Sequence, residues 1–326
     1  MRAIVVHAPG GPEVLQLEDR PIPEVSPGRV LIRVRAFGLN RSEMFTRQGQ
    51  SGDAVKFPRI LGIECVGEIE DPGDSSLTAG QRVAAVMGGM GRDYDGGYAE
   101  YASVAATQVM PVETDLAWET FAAIPEMFLT AWGSLVEAMG VKEGQTLLVR
   151  GGTSSIGMAA ATIAKDLGLR VISTTRNESK REALIENGAD HVVIDTGEVA
   201  EPVRQISPGG VNGVLELIGT TTLLDSLACC SPKGIVCNTG ILGNAWAIED
   251  FQPMAAIPST VRLTTFLSET VEAAKATAAL QSAVDSAAQG RYRVSIDRVF
   301  RFDEIVEAHR HMEENRARGK LVVLVE

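Results

Sequence analysis

Residues 147–161 read LLVRGGTSSIGMAAA, an unbroken apolar run that passes through small residues into an alanine-rich stretch. A buried strand feeding a tight turn and then a helix is the setting in which a glycine loop can hold a pyrophosphate. Gly151 and Gly152 let the chain turn and bring backbone N–H groups close to an anion, and Gly157 lets the helix pack closely. The helix N-terminus adds partial positive charge. Thr153, Ser154, Ser155 and Ile156 complete the loop. Serine stands where a glycine is usual, and its hydroxyl is able to donate to phosphate. The chemistry expected here is dinucleotide binding.

Competing readings of the same loop fail on neighbouring residues. Gly152 and Gly157 have the spacing of a nucleotide-hydrolysing phosphate loop, but Met158-Ala159 follow instead of Lys-Ser/Thr. No GxSxG nucleophile elbow occurs, and Tyr98 and Tyr101 are followed at the short-chain reductase spacing by Ala102 and Ala105, not lysine. The end of the next strand selects the dinucleotide. An NAD site places an acid there for the ribose hydroxyls, whereas here Thr175, Arg176 and Lys180 offer a hydroxyl, a guanidinium and an ammonium to a 2′-phosphate. NADP(H) is therefore the expected cofactor.

The elements that must position these groups change character along the chain. Residues 2–7, 14–18, 30–36, 64–70 and 82–87 read as short strands punctuated by Gly and Pro, as in a barrel or sandwich. A helical stretch over 117–139 follows, and then strands and helices alternate. Strands are predicted at 146–150, 170–175, 191–195, 213–218, 234–239 and 261–267, with helices at 156–167 and 178–187. Near-continuous apolar strands of this kind belong to a parallel sheet covered on both faces. A helix over 269–288, a strand over 294–300, a helix over 304–315 opened by Asp303, and a strand over 321–325 end the chain.

Composition narrows the function further. Lys and Arg total 30 against 42 Asp and Glu, a formal charge of −12 over 326 residues. This argues against general binding to nucleic acid or an anionic membrane, so an anionic ligand must be read by a local cluster such as Arg176 with Lys180. Cys65, Cys229, Cys230 and Cys237 form no CxxC pair, and no HExxH is present, so no local pattern specifies zinc. Scattered thiols, an N-terminal apolar run too short for a signal peptide and no membrane-length segment suggest a cytoplasmic protein.

Taken in order, several short segments resemble the medium-chain dehydrogenase/reductase superfamily, and most closely its zinc-free quinone oxidoreductase branch. They are GGPEVLQL (10–17), GLNRSEMFTRQG (38–49), LGIECVG (61–67), AGQRV (79–83), DGGYAEY (95–101) and AAIPEMFLTAWGSL (122–135), then the glycine loop, NGAD (187–190), NTG (238–240) and GKLVVLV (319–325). The resemblance implies a Rossmann doubly wound parallel sheet, residues 118–267, inserted into a GroES-like β-barrel catalytic domain formed by residues 1–117 and 268–326.

The resemblance also allows the metal positions to be compared. Zinc alcohol dehydrogenases of this superfamily use a Cys, the His of a GHE segment, and a later Cys or Asp. The matching positions here are Asn40, Ile63 within Gly62-Ile63-Glu64, and the region of Glu126, a set that cannot hold zinc in a three-ligand site. The resemblance further implies that Asn40 and Thr130 lie at the nicotinamide end of the cofactor site, with Gly240 and Ile241 beside the ring. Phe266 and Leu267 are expected to close over the cofactor, and Lys320 to contact a phosphate. Tyr94, in a glycine-rich loop, is a candidate proton donor. The family's tyrosines are missing at Phe45 and near Gln50-Ser51, and a tyrosine near the adenosine is replaced by Asp195. The expected activity is NADPH-dependent reduction of a quinone or an α,β-unsaturated carbonyl by a homodimer. The alternatives are an alcohol dehydrogenase relative with an altered metal site, or a non-catalytic NADPH-binding protein.

Overall fold

A computed structural model describes residues 1–314 and 317–325. The chain forms two compact units. One comprises residues 1–126, 271–288 and 294–326, and the other residues 127–270 with 289–293.

In the first unit, β-branched and alternating apolar residues build two sheets. A seven-stranded sheet runs Ile296–Arg301, Lys320–Leu324, Arg29–Gly38, Glu64–Asp71, Arg82–Val86 and Val109–Pro111, with Tyr101–Ala105 also pairing Arg29–Gly38. A three-stranded sheet orders Gln16–Asp19, Arg2–Val6 and Arg59–Ile60. The C-terminal strand thus returns to the first: Val322 lies opposite Gly38 in an antiparallel register. That pairing carries Lys320 back to the region of Asn40.

The second unit is a six-stranded sheet with every recorded pairing parallel. Its order is His191–Ile194, Arg170–Thr175, Thr146–Arg150, Val211–Glu216, Cys230–Asn238 and Arg262–Thr265. This is the doubly wound order in which the chain reverses its direction of sheet growth beside the first strand. The fold is a Rossmann-type parallel sheet inserted in a GroES-like β-rich domain. Leu148, Ile172, Val214 and Val236, one from each of four central strands, are fully buried and form the middle of its core.

Some elements depart from expectation. The stretch 117–139 is not one helix: Trp118–Ala122 ends before Pro125, which starts Pro125–Trp132, and Gly133–Ala138 continues as a π-helix. Proline lacks the N–H and sterically opposes a helix running into it. The expected helix over 178–187 begins as a 3-10 turn, Glu178–Lys180, before Arg181–Glu186. The alanine-rich helix occupies Ala273–Ala288. Asp303 lies inside a 3-10 turn, Phe302–Glu304, and the helix that follows is Ile305–Glu313. The expected end of that helix at Asn315 lies outside the described residues, as does Glu326. Helices Ala200–Ile206 and Leu223–Ala228 had no counterpart in the expectation. Both are short, and the first contains Pro202. Among the described residues, no helix is long and apolar enough to cross a membrane.

Candidate functional site

At the centre of the parallel sheet, Thr146–Arg150 and Val211–Glu216 lie side by side, with Arg150 opposite Glu216. Ligands of doubly wound sheets bind beyond the strand ends at this reversal point. The glycine loop leaves from here. Gly151 has φ +89°, and its N–H donates to Thr174 Oγ1 at 3.1 Å. The Gly152 N–H donates to the Thr174 carbonyl at 3.0 Å. A Cβ on Gly157 would lie 2.5 Å from the Gly151 carbonyl oxygen, so the helix Ser155–Asp166 packs onto its own loop.

Ser154 has a different task from the one expected. It caps that helix, its hydroxyl accepting from the Gly157 N–H at 3.1 Å and donating to the Gly151 carbonyl at 2.8 Å. Its proton is therefore spent inside the loop, holding it tight. Thr153, Ser155 and Ile156 are partly exposed around it.

At the end of Arg170–Thr175, Thr175 is buried and its hydroxyl accepts from the Asn177 N–H at 3.2 Å. Arg176 is exposed and has no ion-pair partner among the described residues. Glu178, the nearby acid, is taken up by Arg181 through contacts of 2.5 and 3.1 Å, which hold its carboxyl below the usual range. Lys180 closes the 3-10 turn and is partly exposed.

Of the residues expected near the nicotinamide, Thr130, Gly240, Ile241, Phe266 and Leu267 belong to this unit and Asn40 to the other. Ser134 donates to the carbonyl of buried Thr130 at 2.8 Å and meets the Thr239 hydroxyl at 2.9 Å, just before Gly240 and Ile241. The Phe266 ring occupies the space a Cβ on Gly133 would need, 1.9 Å from Phe266 Cζ. Leu267 is 58% exposed and is held less closely.

A buried charge network went unseen in the sequence. Arg150, immediately before the loop, is fully buried. Its guanidinium donates to Asp195 at 2.9 and 3.1 Å, to Asp225 at 2.7 Å, and to the Thr222 and Gly197 carbonyls. Burial would push Asp195 up, but the hydrogen bonds and charge of Arg150 hold it below the usual carboxylate range. Glu216 accepts from Ser226, Thr222 and the Ile218 and Gly219 N–H groups, and burial still raises its pKa. A cation ending a buried strand was the available signal, since it demands acids at neighbouring strand ends.

The first unit holds the second constellation. Asn40 is the N-cap of Arg41–Arg47, and its backbone N–H donates to Glu43 Oε2 at 2.8 Å. Its side-chain Nδ2 donates to Glu64 Oε1 at 2.9 Å, and its Oδ1 accepts from Lys320 Nζ at 2.7 Å. Lys320 Nζ also donates to Glu64 Oε1 at 2.6 Å, with both side chains 1% exposed. Glu64 Oε2 accepts the Glu126 N–H at 2.9 Å, and Glu43 Oε1 accepts the Ile63 N–H at 3.1 Å. Burial lifts Glu43 to about 7, despite these N–H groups and Lys320.

The three positions compared with metal ligands, Asn40, Ile63 and Glu126, are thus tied together around an ammonium–carboxylate pair. Lys320 is committed to this pair and not to a phosphate. Cys65 is buried, and burial pushes its thiol up to about 12, far from the thiolate a metal needs. Among the described residues, no group of three or more His, Cys, Asp or Glu side chains is arranged to hold a metal ion. Tyr94 lies outside this hydrogen-bonded set. Its hydroxyl donates to Gln108 Oε1 at 2.6 Å, the Arg29 guanidinium lies over its ring, and burial raises its pKa.

Comparison with known proteins agrees with this architecture. Residues 26–114 match the alcohol dehydrogenase GroES-like domain, and residues 187–323 match the family described as zinc-binding dehydrogenase. The chain is 31% identical to the quinone oxidoreductase of Homo sapiens, covering 100% of this chain and 98% of that one. A mycobacterial protein solved in complex with NADPH superposes with TM-score 0.88 at 27% identity, over 100% of both chains. The quinone oxidoreductase of Coxiella burnetii superposes with TM-score 0.86 at 27% identity, over 100% of this chain and 99% of that one.

Proposed function

The chain belongs to the medium-chain dehydrogenase/reductase superfamily and is related to its quinone oxidoreductases, and from that premise we propose that it is a zinc-independent, NADPH-dependent reductase of quinones or α,β-unsaturated carbonyls. The observation that carries this reading is the Asn40–Glu64–Lys320 set, in which Asn40, one of the positions compared with metal ligands, is bound to a carboxylate and an ammonium. An amide, a carboxylate and an ammonium that satisfy one another are poor ligands for zinc. A set of this kind suits acceptors that spread the incoming charge through their own conjugation.

The residues fit NADP(H). Gly151, Gly152 and the N-terminus of Ser155–Asp166 form a cradle with no room for a Cβ at Gly157. Arg176 has a guanidinium without an ion-pair partner among the described residues, with Lys180 and the Thr175 backbone close in sequence, to receive a 2′-phosphate. Thr130, Gly240, Ile241, Phe266 and Leu267 would bound the nicotinamide, which when bound supplies the hydride. In this reading residues 118–267 carry the cofactor and residues 1–117 with 268–326 receive the acceptor.

A homodimer working in the cytoplasm completes the proposal. Arg262–Thr265 ends the six-stranded sheet, and an edge unpaired among the described residues, with exposed Leu267 beside it, suits pairing with a second copy. Light scattering after size exclusion tests that assembly.

The decisive experiment is NADPH oxidation against a broad panel of enones and quinones. Acceleration by one class supports the reading. No acceleration with tight NADPH binding would instead indicate a non-catalytic binder, and stoichiometric zinc with chelator-sensitive turnover would indicate an alcohol dehydrogenase.

A further inference from the structure

The Lys320–Glu64 pair fixes which way the Asn40 amide faces. An ammonium only donates, so the amide atom 2.7 Å from Lys320 Nζ must be oxygen. An ionised carboxylate only accepts, so the atom 2.9 Å from Glu64 Oε1 must be the NH2 nitrogen. Glu64 is kept in that role by two further donors, Lys320 Nζ at 2.6 Å and the Glu126 N–H at 2.9 Å in the first turn of Pro125–Trp132. The flipped amide would set oxygen against carboxylate and NH2 against ammonium.

Three members, Glu43, Glu64 and Lys320, are each 1% exposed, whereas Asn40 is partly exposed. Of these four residues, Asn40 is the one that reaches solvent. One Nδ2 hydrogen is used by Glu64, and the other has only a long 3.4 Å contact with Glu43 Oε1.

We propose that Lys320 and Glu64 are positioning residues that lock the Asn40 side chain so that its remaining N–H donates to the oxygen of the acceptor. This rests on the reductase reading above. Hydride addition to a conjugated carbonyl forms a C–H bond at the β-carbon and moves the π electron pair onto the oxygen, and a solvent proton then adds at the α-carbon. A fixed donor at that oxygen stabilises charge as it develops, with no reorganisation at the moment of reaction. A buried ion pair adds little net stability, so what it contributes here is orientation.

The test is a double-mutant cycle with a structural readout. Lys320→Met alone leaves Glu64 buried without its cation and risks unfolding, so Lys320→Met is combined with Glu64→Gln, which removes both charges. The paired variant should keep a cooperative melt and NADPH affinity within about twofold, yet lose about tenfold or more in kcat. Asn40→Ala should cost about tenfold in the native chain and under about twofold in the paired variant. A folded paired variant with native kcat, or losses that multiply independently, would overturn the proposal.

The second readout needs no turnover. In the Asn40 side-chain amide signals, assigned by their loss in Asn40→Ala, the hydrogen bound to Glu64 should exchange with solvent more slowly than its partner in the native chain, and both should shift and that difference vanish in the paired variant. Unchanged signals overturn the lock whatever the kinetics. If the native chain reduces no acceptor, the reductase reading fails and takes the donor role with it, while the lock stands or falls by these signals.

Discussion

A Cβ placed on Gly38 would fall 2.2 Å from Lys320 Cε and 2.5 Å from Glu64 Oε1. Gly38 ends the strand Arg29–Gly38 opposite Val322, so the missing side chain leaves the space through which the Lys320 stem reaches Asn40. A flexible lysine at a surface would swing aside, but this one is 1% exposed and held at both ends. Gly38→Ala should therefore cost about 1–3 kcal/mol by overpacking. It should also lower kcat, because the ammonium cannot keep its place beside the amide. Urea melts and acceptor-dependent NADPH oxidation check this, and native values in both would show that the space relaxes freely.

Arg176→Ala should separate the two dinucleotides. The guanidinium has no ion-pair partner among the described residues, and Glu178 is already occupied by Arg181, so little in the free protein competes for it. Losing a charge-assisted contact to the 2′-phosphate should weaken NADPH by about tenfold to a hundredfold, with NADH changed by less than about threefold. Fluorescence titration with both cofactors decides it. Equal losses would remove Arg176 from the phosphate site.

What the sequence made legible was local. The run into Gly151 and Gly152, the Gly157 spacing and the basic residues after Thr175 were readable because strand, turn and helix follow one another along the chain. The partners of Asn40 were not readable in that way. Lys320 is 280 positions from it, and only the antiparallel return of Lys320–Leu324 beside Arg29–Gly38 joins them. The same holds for Arg150: Asp195 and Asp225 lie 45 and 75 positions away and reach it through parallel strand order. Asp195, read as a substitute for a tyrosine near the adenosine, is a buried counter-ion. Ser154, read as a phosphate donor, is a helix cap.

Arg150→Met should be among the most destabilising single substitutions in the second unit. It removes the cation shared by Asp195 and Asp225, whose side chains are 8% and 17% exposed, and leaves the buried Glu216 beside them. Breaking a buried pair by removing one partner costs about 3–5 kcal/mol. The preceding residue also sets the exit of Gly151, so cofactor affinity should fall in whatever fraction folds. Adding Asp195→Asn should recover part of the stability, because it removes one of the orphaned charges. Denaturant melts of the single and double variants test this. A loss under about 1 kcal/mol for Arg150→Met would mean that the acids simply take up protons.

His309 should cost the first unit stability as pH falls below 6.5, against the gain from Glu43, whose raised carboxyl takes up a proton in the same range. Its ring is fully buried, its Nε2 lies 3.2 Å from the Tyr98 hydroxyl, and burial together with nearby Arg47 lowers its pKa to about 3. The unfolded chain protonates this histidine near its ordinary value, 6.5, whereas the folded chain does not. Above that pH both states are neutral and the residue has no pH-linked effect. As pH falls, the unfolded state binds the extra proton and stability declines, until the folded value near 3 is reached. Between pH 6.5 and 5 the expected loss from this residue alone is about 2 kcal/mol. His309→Gln keeps a polar atom for Tyr98 and does not titrate, so its stability should fall less steeply over that interval. Thermal or urea melts of both proteins from pH 8 to 5 measure the difference. Parallel curves would place the histidine in contact with water and contradict its burial.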